Sequence, residues 1–82
     1  MTDALAGKDK TVGLKQTQRA ISQGLARKVF LACDADPQLT QPLLECCEQQ
    51  GICVDTGCTM RQLGKACGIR VGTAAAALLA ET

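Results

Sequence analysis

The chain has 82 residues, with nine Lys or Arg against eight Asp or Glu, no histidine and a formal net charge of +1. This length allows one domain over residues 1–82, which buries roughly 60 to 65% of its unfolded surface, and it excludes a second domain. The sequence has neither the apolar run of a signal peptide nor an apolar stretch of about 18 residues, so we expect a cytoplasmic protein that does not enter a membrane.

The first third of the chain predicts a helix followed by a strand. Residues 1–11 are mostly polar and are predicted to form a short helical lead-in. A helix is expected over residues 14–23, and Gly24 ends it in the left-handed conformation that closes many helices. Residues 28–33 (KVFLAC) are largely apolar and include β-branched and aromatic members, which is typical of a central strand covered on both faces.

A turn over residues 34–37 (DADP) leads into the second predicted helix. Thr40 is the predicted N-cap, because Pro42 then lies in the first turn, where its missing N–H costs nothing. Gly51 ends this helix. Its buried stripe is predicted to consist of Leu43, Leu44 and Cys47.

The last third predicts a strand, a helix and one ambiguous segment. Residues 52–56 alternate apolar and polar side chains as a strand does, and Thr59 with Gln62 forms the capping box of a helix that ends at Gly68. Propensity favours a helix over residues 73–80 (TAAAALLA). The alternation of strands and helices instead favours an α/β sandwich, which needs another strand.

The charges are segregated along the chain. Residues 8–28 contain six basic residues against one acidic residue, whereas residues 29–58 contain five acidic residues and no basic one. Residues 59–82 contain three basic residues and one acidic residue. A protein divided in this way can present a basic surface while it remains nearly neutral overall, so the pattern is compatible with a nucleic-acid partner.

Two basic stretches are candidate binding sites. Gly13 precedes a helix whose polar face carries Lys15, Gln16 and Arg19, and such a helix start favours phosphate or a base edge; an ordinary solvated face is the alternative. The glycine-rich segment after Lys65 places Arg70 between two apolar residues. Ile69 and Val71 could pack on bases splayed from a duplex, although a plain connecting loop fits this segment equally well.

Catalytic and metal-binding patterns are poorly represented. The sequence has no histidine, tyrosine or phosphate-binding glycine loop, and Asp34 and Asp36 suit a turn and helix capping better than a metal site. The six cysteines have irregular spacing and no C-x-x-C pair, so we expect free, mostly buried thiols; a thiol or metal site on Cys53 and Cys58 is the alternative. We therefore expect neither an enzyme nor a cofactor.

Three stretches together resemble the ribosomal protein family of kink-turn RNA binders, the L-seven-Ae and L-thirty-e proteins, and most closely its short bacterial members. They are residues 12–20 (VGLKQTQRA), 34–37 (DADP) and 63–77 (LGKACGIRVGTAAAA), and the resemblance covers residues 12–80. It implies an α/β fold, a three-layer α/β/α sandwich around a mixed sheet of about four strands. The alanine-rich segment then becomes a strand, against its propensity.

The resemblance further implies binding to kink-turns, in which a bulge beside tandem sheared G·A pairs bends an RNA helix. At the matching positions, Gly13 would allow close approach, Lys15 and Gln16 would contact guanine edges, and Arg19 would contact the RNA backbone. Archaeal and eukaryotic relatives often carry Asn-Glu where this chain has Lys15 and Gln16, and relatives often carry an acidic residue at position 70. The complete candidate RNA-binding set is Gly13, Leu14, Lys15, Gln16, Arg19, Lys65, Ile69, Arg70 and Val71.

The predicted function is that of a non-catalytic, monomeric protein that recognises a kink-turn, with ribosomal RNA or the ribosome as one candidate partner. The alternative is a protein-interaction or ribosome-assembly module whose affinity for RNA is weak and non-specific. Phe30 is the only aromatic residue and lies in a predicted core strand, so stacking on an unfolded single strand is not expected.

Overall fold

Four strands and three helices make up residues 9–79, the part of the chain that the computed structural model describes. No helix within these residues is both long and apolar enough to cross a bilayer. The elements are β1 (Lys10–Val12), α1 (Leu14–Ser22), β2 (Ala26–Leu31), α2 (Pro37–Gln50), β3 (Cys53–Asp55), α3 (Met60–Ala66) and β4 (Ala75–Leu79).

The strands form one mixed sheet in the order β1-β4-β2-β3. β4 runs antiparallel to both of its neighbours, β1 and β2, whereas β2 and β3 are parallel. The predicted mixed sheet of four strands is therefore confirmed, and the last strand of the sequence lies near the centre of the sheet.

Two apolar clusters lie on opposite faces of this sheet and give the predicted three-layer sandwich. Alternate residues of a strand point to opposite faces, so the central strands contribute to both clusters. One face packs on α1 and α2 through Ile21, Val29, Leu31, Leu43, Cys47, Ala75 and Ala77. The other packs on α3 and the residue after it through Phe30, Ala32, Ala35, Leu63, Cys67, Ala74 and Ala76.

β4 is an alanine strand because it lies between two helical layers. Ala75, Ala76 and Ala77 have no exposed surface, and their small side chains let the helices approach the sheet closely. Pairing with two neighbouring strands outweighs the small per-residue preference of alanine for a helix. The strand implied by the resemblance is confirmed as far as Leu79; Ala80 lies outside the described residues.

The predicted helical lead-in is wrong at its end. Residues 10–12 form β1, in which Lys10 pairs with Leu78 and Val12 with Ala76. A strand is favoured here because β4 offers its free edge to this segment, which includes the β-branched residues Thr11 and Val12. The rest of the lead-in prediction, over residues 1–8, lies outside the described residues.

The predicted start of α2 is also wrong. The helix begins at Pro37, and Asp36 is its N-cap, since the Asp36 carboxylate accepts a hydrogen bond from the Gln38 N–H at 2.9 Å. Pro37 already occupies the position where a proline costs no hydrogen bond, and Pro42 lies inside the helix. The Asp-Pro pair therefore overrides the later Thr40 signal, and the helix loses one backbone bond at Pro42.

The start of α3 agrees with its predicted capping box. The Thr59 hydroxyl accepts from the Gln62 N–H at 3.1 Å, and the Gln62 side chain accepts from the Thr59 N–H at 3.0 Å. Asp34 adds a longer-range contact, because its carboxylate accepts from the Met60 N–H at 2.7 Å. Asp34 and Asp36 thus serve in helix starts, and residues 9–79 contain no group of three metal-binding side chains.

All six cysteines are free, as predicted, but the expectation that most are buried is wrong. Cys47 and Cys67 are buried, Cys46 and Cys58 are half-buried, and the last two are exposed. Cys33 is exposed because it lies after the end of β2. Cys53 is exposed because it is the first residue of β3, a short strand at the edge of the sheet.

Native-state alkylation should distinguish these thiols. Burial raises the pKa of Cys47, helped by neighbouring Cys46, and burial raises the pKa of Cys67 against a smaller lowering effect of Lys10. A raised pKa leaves less reactive thiolate, so iodoacetamide should modify Cys33 and Cys53 first. Mass spectrometry after timed labelling would contradict this order if Cys47 reacted as fast as Cys53.

Candidate RNA-binding site

The amino end of α1 and the loop between α3 and β4 (residues 67–74, the α3–β4 loop) meet at one end of the sheet. The Gly13 N–H donates to the carbonyl of Ala75, the first residue of β4, at 2.8 Å. On the other side of β4, the Ala32 N–H donates to the carbonyl of Ala74 at 2.9 Å. The Gly13–Ala75 bond therefore joins two segments that are more than fifty residues apart in the sequence, and the Ala32–Ala74 bond ties the end of the loop to the residue after β2.

Gly13 has a backbone conformation that only glycine adopts without strain. Its φ is 104° and its ψ is 158°, a region in which any Cβ atom is disfavoured. A Cβ atom on Gly13 would meet no other atom within 4 Å, so the restriction comes from the backbone and the space in front of it is open. Helix geometry leaves the first amides of α1 without partners, and Gly13 supplies no side chain to cap them.

Replacement of Gly13 by alanine should therefore lower stability. We expect the free energy of unfolding to fall by about 1 to 3 kcal/mol, because alanine at this φ is strained even where there is room for its methyl group. Urea unfolding followed by circular dichroism measures this change. Equal midpoints for Gly13→Ala and the wild-type protein would contradict it.

The polar face of α1 lies outward, as the helical spacing predicts. Lys15, Gln16 and Arg19 are exposed, whereas Thr17 and Ile21 are buried. The candidate Leu14 is half-buried and packs against both apolar clusters, so it helps to fix the start of the helix.

A groove between α1 and α2 adds shape to this face. It has a volume of about 440 Å³, and its lining includes Lys15 and Arg19 together with the apolar side chains of Ile21 and Leu43. The two cations therefore border one concave surface.

The α3–β4 loop is held at both ends by backbone bonds. At its start, the Gly68 N–H donates to the Lys65 carbonyl and the Ile69 N–H to the Gly64 carbonyl, both at 3.0 Å. At its end, the Thr73 N–H donates to the Met60 carbonyl at 3.1 Å. The bond from Thr73 returns the chain to the first turn of α3.

The tip of the loop presents cationic and apolar side chains to solvent. Arg70 is exposed, Ile69 is half-buried, and Val71 is 71% exposed. An apolar side chain that is held so far into solvent is available to a ligand. Lys65 is exposed on α3, where it lines a separate surface pocket with Gln62 and Cys58.

Two residues that shape this end of the sheet were not singled out from the sequence. Gly64 is buried against the loop backbone. A glycine inside a predicted helix could have indicated such a close contact. Thr73 is buried, and its hydroxyl donates a hydrogen bond to the Ala75 carbonyl at 2.9 Å. No sequence pattern predicts this contact.

Comparison with known proteins places this architecture in a family. A family model described as the Ribosomal protein L7Ae/L30e/S12e/Gadd45 family matches residues 2–82. The chain belongs to this family. The resemblance that the sequence motifs suggested is thus confirmed, and so is the prediction that the protein is not an enzyme.

Individual relatives agree with membership in the L7Ae/L30e/S12e/Gadd45 family. A protein of Geobacillus sp. (strain WCH70) named as an RNA-binding protein is 43% identical over 74 residues, which are 90% of this chain and 89% of the relative. The large ribosomal subunit protein eL8 of Haloquadratum walsbyi is 35% identical over 68 residues, 82% of this chain and 57% of the relative. The solved structure of a Giardia lamblia 15.5kD RNA binding protein matches with a TM-score of 0.87 at 25% identity, covering 98% of this chain and 68% of that one.

Proposed function

We propose that this protein binds RNA and recognises a kink-turn with the amino end of α1 and the α3–β4 loop. The observation that carries the proposal is the hydrogen bond from the Gly13 N–H to the Ala75 carbonyl at 2.8 Å, because it brings these two segments to one end of the sheet. The names of the relatives, several of which are RNA-binding proteins, support the same partner class.

Each segment has the chemistry for a different part of a kinked RNA. At α1, the amides after Gly13 suit an anionic or hydrogen-bond-accepting group, and Lys15 and Gln16 supply donors for the edges of guanines in the G·A pairs. Arg19 lies one turn further along the exposed face, where it can pair with a phosphate.

The loop supplies the surface for the bulged nucleotides. Val71 and Ile69 offer apolar contact to unpaired bases, and Arg70 between them adds a charge that can reach the backbone. Phe30, the only aromatic residue of the chain, is 2% exposed in the core, so aromatic stacking has no part in this recognition. Specificity must then come from shape and polar contacts.

A titration tests the proposed specificity. We expect the protein to bind a kink-turn RNA at least about tenfold more tightly than a straight duplex of the same length, because only the kinked RNA can engage both segments. Equal affinities would indicate the alternative, an interaction module with weak and non-specific affinity for RNA. Ribosomal RNA is the first source to search for the natural kink-turn, since one relative is named as a ribosomal subunit protein.

The salt dependence of binding tests the role of Arg19. If Arg19 neutralises one phosphate, Arg19→Ala should reduce the slope of log affinity against log salt concentration by about 0.9. Arg27→Ala is the control, because Arg27 is also exposed but lies on β2 at the opposite end of the sheet. Equal changes in slope for the two variants would show that Arg19 contributes only to the net charge of the protein and makes no specific phosphate contact.

A further inference from the structure

The backbone of α3 touches the backbone of the α3–β4 loop at Gly64. Gly64 is buried, and a Cβ atom at this position would overlap the carbonyl oxygen of Val71 and lie 3.0 Å from the Cα atom of Gly72. These neighbours are main-chain atoms, which cannot rotate away as a flexible side chain can. Only glycine therefore permits this approach of the helix to the loop.

A second close contact lies at the other end of α3. A Cβ atom on Gly72 would lie 3.2 Å from both the carbonyl carbon and the carbonyl oxygen of Met60. The adjacent Thr73 N–H donates to that same carbonyl, and the Ile69 N–H donates to the Gly64 carbonyl. The residues between these contacts are therefore fixed to α3 on both sides.

Helix stability gives no reason for a glycine at position 64. Glycine weakens a helix relative to alanine, because it loses more backbone freedom when the helix forms. In α3, which has only seven residues, that loss matters more than in a long helix. The contact with the loop is the feature of the structure that requires glycine.

We propose that Gly64 is a positioning residue for RNA recognition, which holds Ile69, Arg70 and Val71 in their binding arrangement before RNA arrives. This inference rests on the proposed function, since it assigns these residues to the bulged nucleotides. Gly64 touches the loop and not the RNA. A loop that is already ordered loses less conformational entropy on binding, so the contact strengthens affinity for an RNA that engages the loop.

Gly64→Ala tests the proposal when its binding is measured with a kink-turn RNA and with the same RNA lacking the bulge. We expect affinity for the kink-turn RNA to fall about tenfold or more, and affinity for the bulge-free duplex to change less than about twofold. Gly57→Ala is the matched control, because the same added methyl group would meet only the Asp55 carboxylate oxygen, at 3.2 Å, and should leave both affinities unchanged. Faster hydrogen exchange at the Thr73 N–H of Gly64→Ala would report the loosened loop directly.

The outcomes separate this inference from the proposed function. If the wild-type protein prefers the kink-turn and folded Gly64→Ala binds it equally well, the positioning role is overturned and the proposed function stands. If the wild-type protein does not distinguish the two RNAs, both fail. If Gly64→Ala does not fold, Gly72→Ala decides, because its added methyl group disturbs the second contact between the loop and α3, the one at Met60. Unchanged affinity of that variant for the kink-turn would then overturn the inference.

Discussion

The double variant Lys15→Ala/Gln16→Ala should lose at least about thirtyfold in affinity for a kink-turn RNA. Each residue is proposed to read a guanine edge, and one such contact contributes about 1 to 3 kcal/mol of binding free energy. Two contacts therefore correspond to about 2 kcal/mol or more, which is about thirtyfold in the dissociation constant. Both side chains are exposed, so the free energy of unfolding should change by less than about 0.5 kcal/mol.

A matched variant controls for charge and for the loss of a glutamine. Arg27→Ala/Gln49→Ala removes one cation and one glutamine, as the test variant does, but from exposed positions at the opposite end of the sheet. Fluorescence anisotropy titrations of both variants should give a large loss for the first and little change for the second. Equal small losses would contradict base recognition by α1 and favour weak, non-specific attraction.

Among the variants considered, Phe30→Ala should cause the largest decrease in the free energy of unfolding. Phe30 is 2% exposed, it belongs to the cluster under α3, and removal of such a ring costs about 3 to 5 kcal/mol. An 82-residue domain has a total stability of roughly 4 to 12 kcal/mol at typical values per residue. We therefore expect a variant that is partly or fully unfolded at 37 °C.

Thermal unfolding followed by circular dichroism measures this loss. Leu39→Ala is the comparison, because Leu39 is 51% exposed and its truncation should change stability by less than about 0.5 kcal/mol. If Phe30→Ala unfolded at the same temperature as the wild-type protein, the assignment of Phe30 to the core would be contradicted. Phe30 would then become available for stacking on RNA.

The sequence predicted those features of the helices that depend only on residues close to one another in the chain. The capping box of Thr59 and Gln62 and the glycine after each helix depend only on neighbouring residues, and the structure has them where they were expected. The start of α2 was predicted in the wrong place because two capping signals, Asp36-Pro37 and Thr40 with Pro42, follow each other closely. The Asp36 side chain caps the helix start, and Pro37 takes the first helical position, where a missing N–H costs no hydrogen bond.

Helix and strand propensities did not predict the features that depend on contacts between residues distant in the sequence. The preference of alanine for a helix is outweighed in β4 by pairing with β1 and β2, and the edge of β4 turns residues 10–12 into a strand. The family resemblance supplied the strand assignment of β4 because it carries this long-range information. It did not supply β1.

The candidate site shows the same division. The polar face of α1 followed from helical spacing, and Lys15, Gln16 and Arg19 are all exposed. The bond between Gly13 and Ala75, which brings α1 to the α3–β4 loop, joins residues that no periodicity relates. The packing of Gly64 on the loop depends equally on the folded arrangement, and this residue was not singled out from the sequence.

A nuclear magnetic resonance titration tests most directly whether α1 and the α3–β4 loop form one binding site. A ¹⁵N-labelled protein is titrated with a kink-turn RNA, and the backbone amide signals are followed. We predict that the amides of residues 13–19 and 69–71 shift together and saturate at the same RNA concentration, while those of Arg27 and Gln49 at the far end of the sheet stay in place. Shifts confined to one of the two segments, or shifts of equal size at the far end, would contradict it.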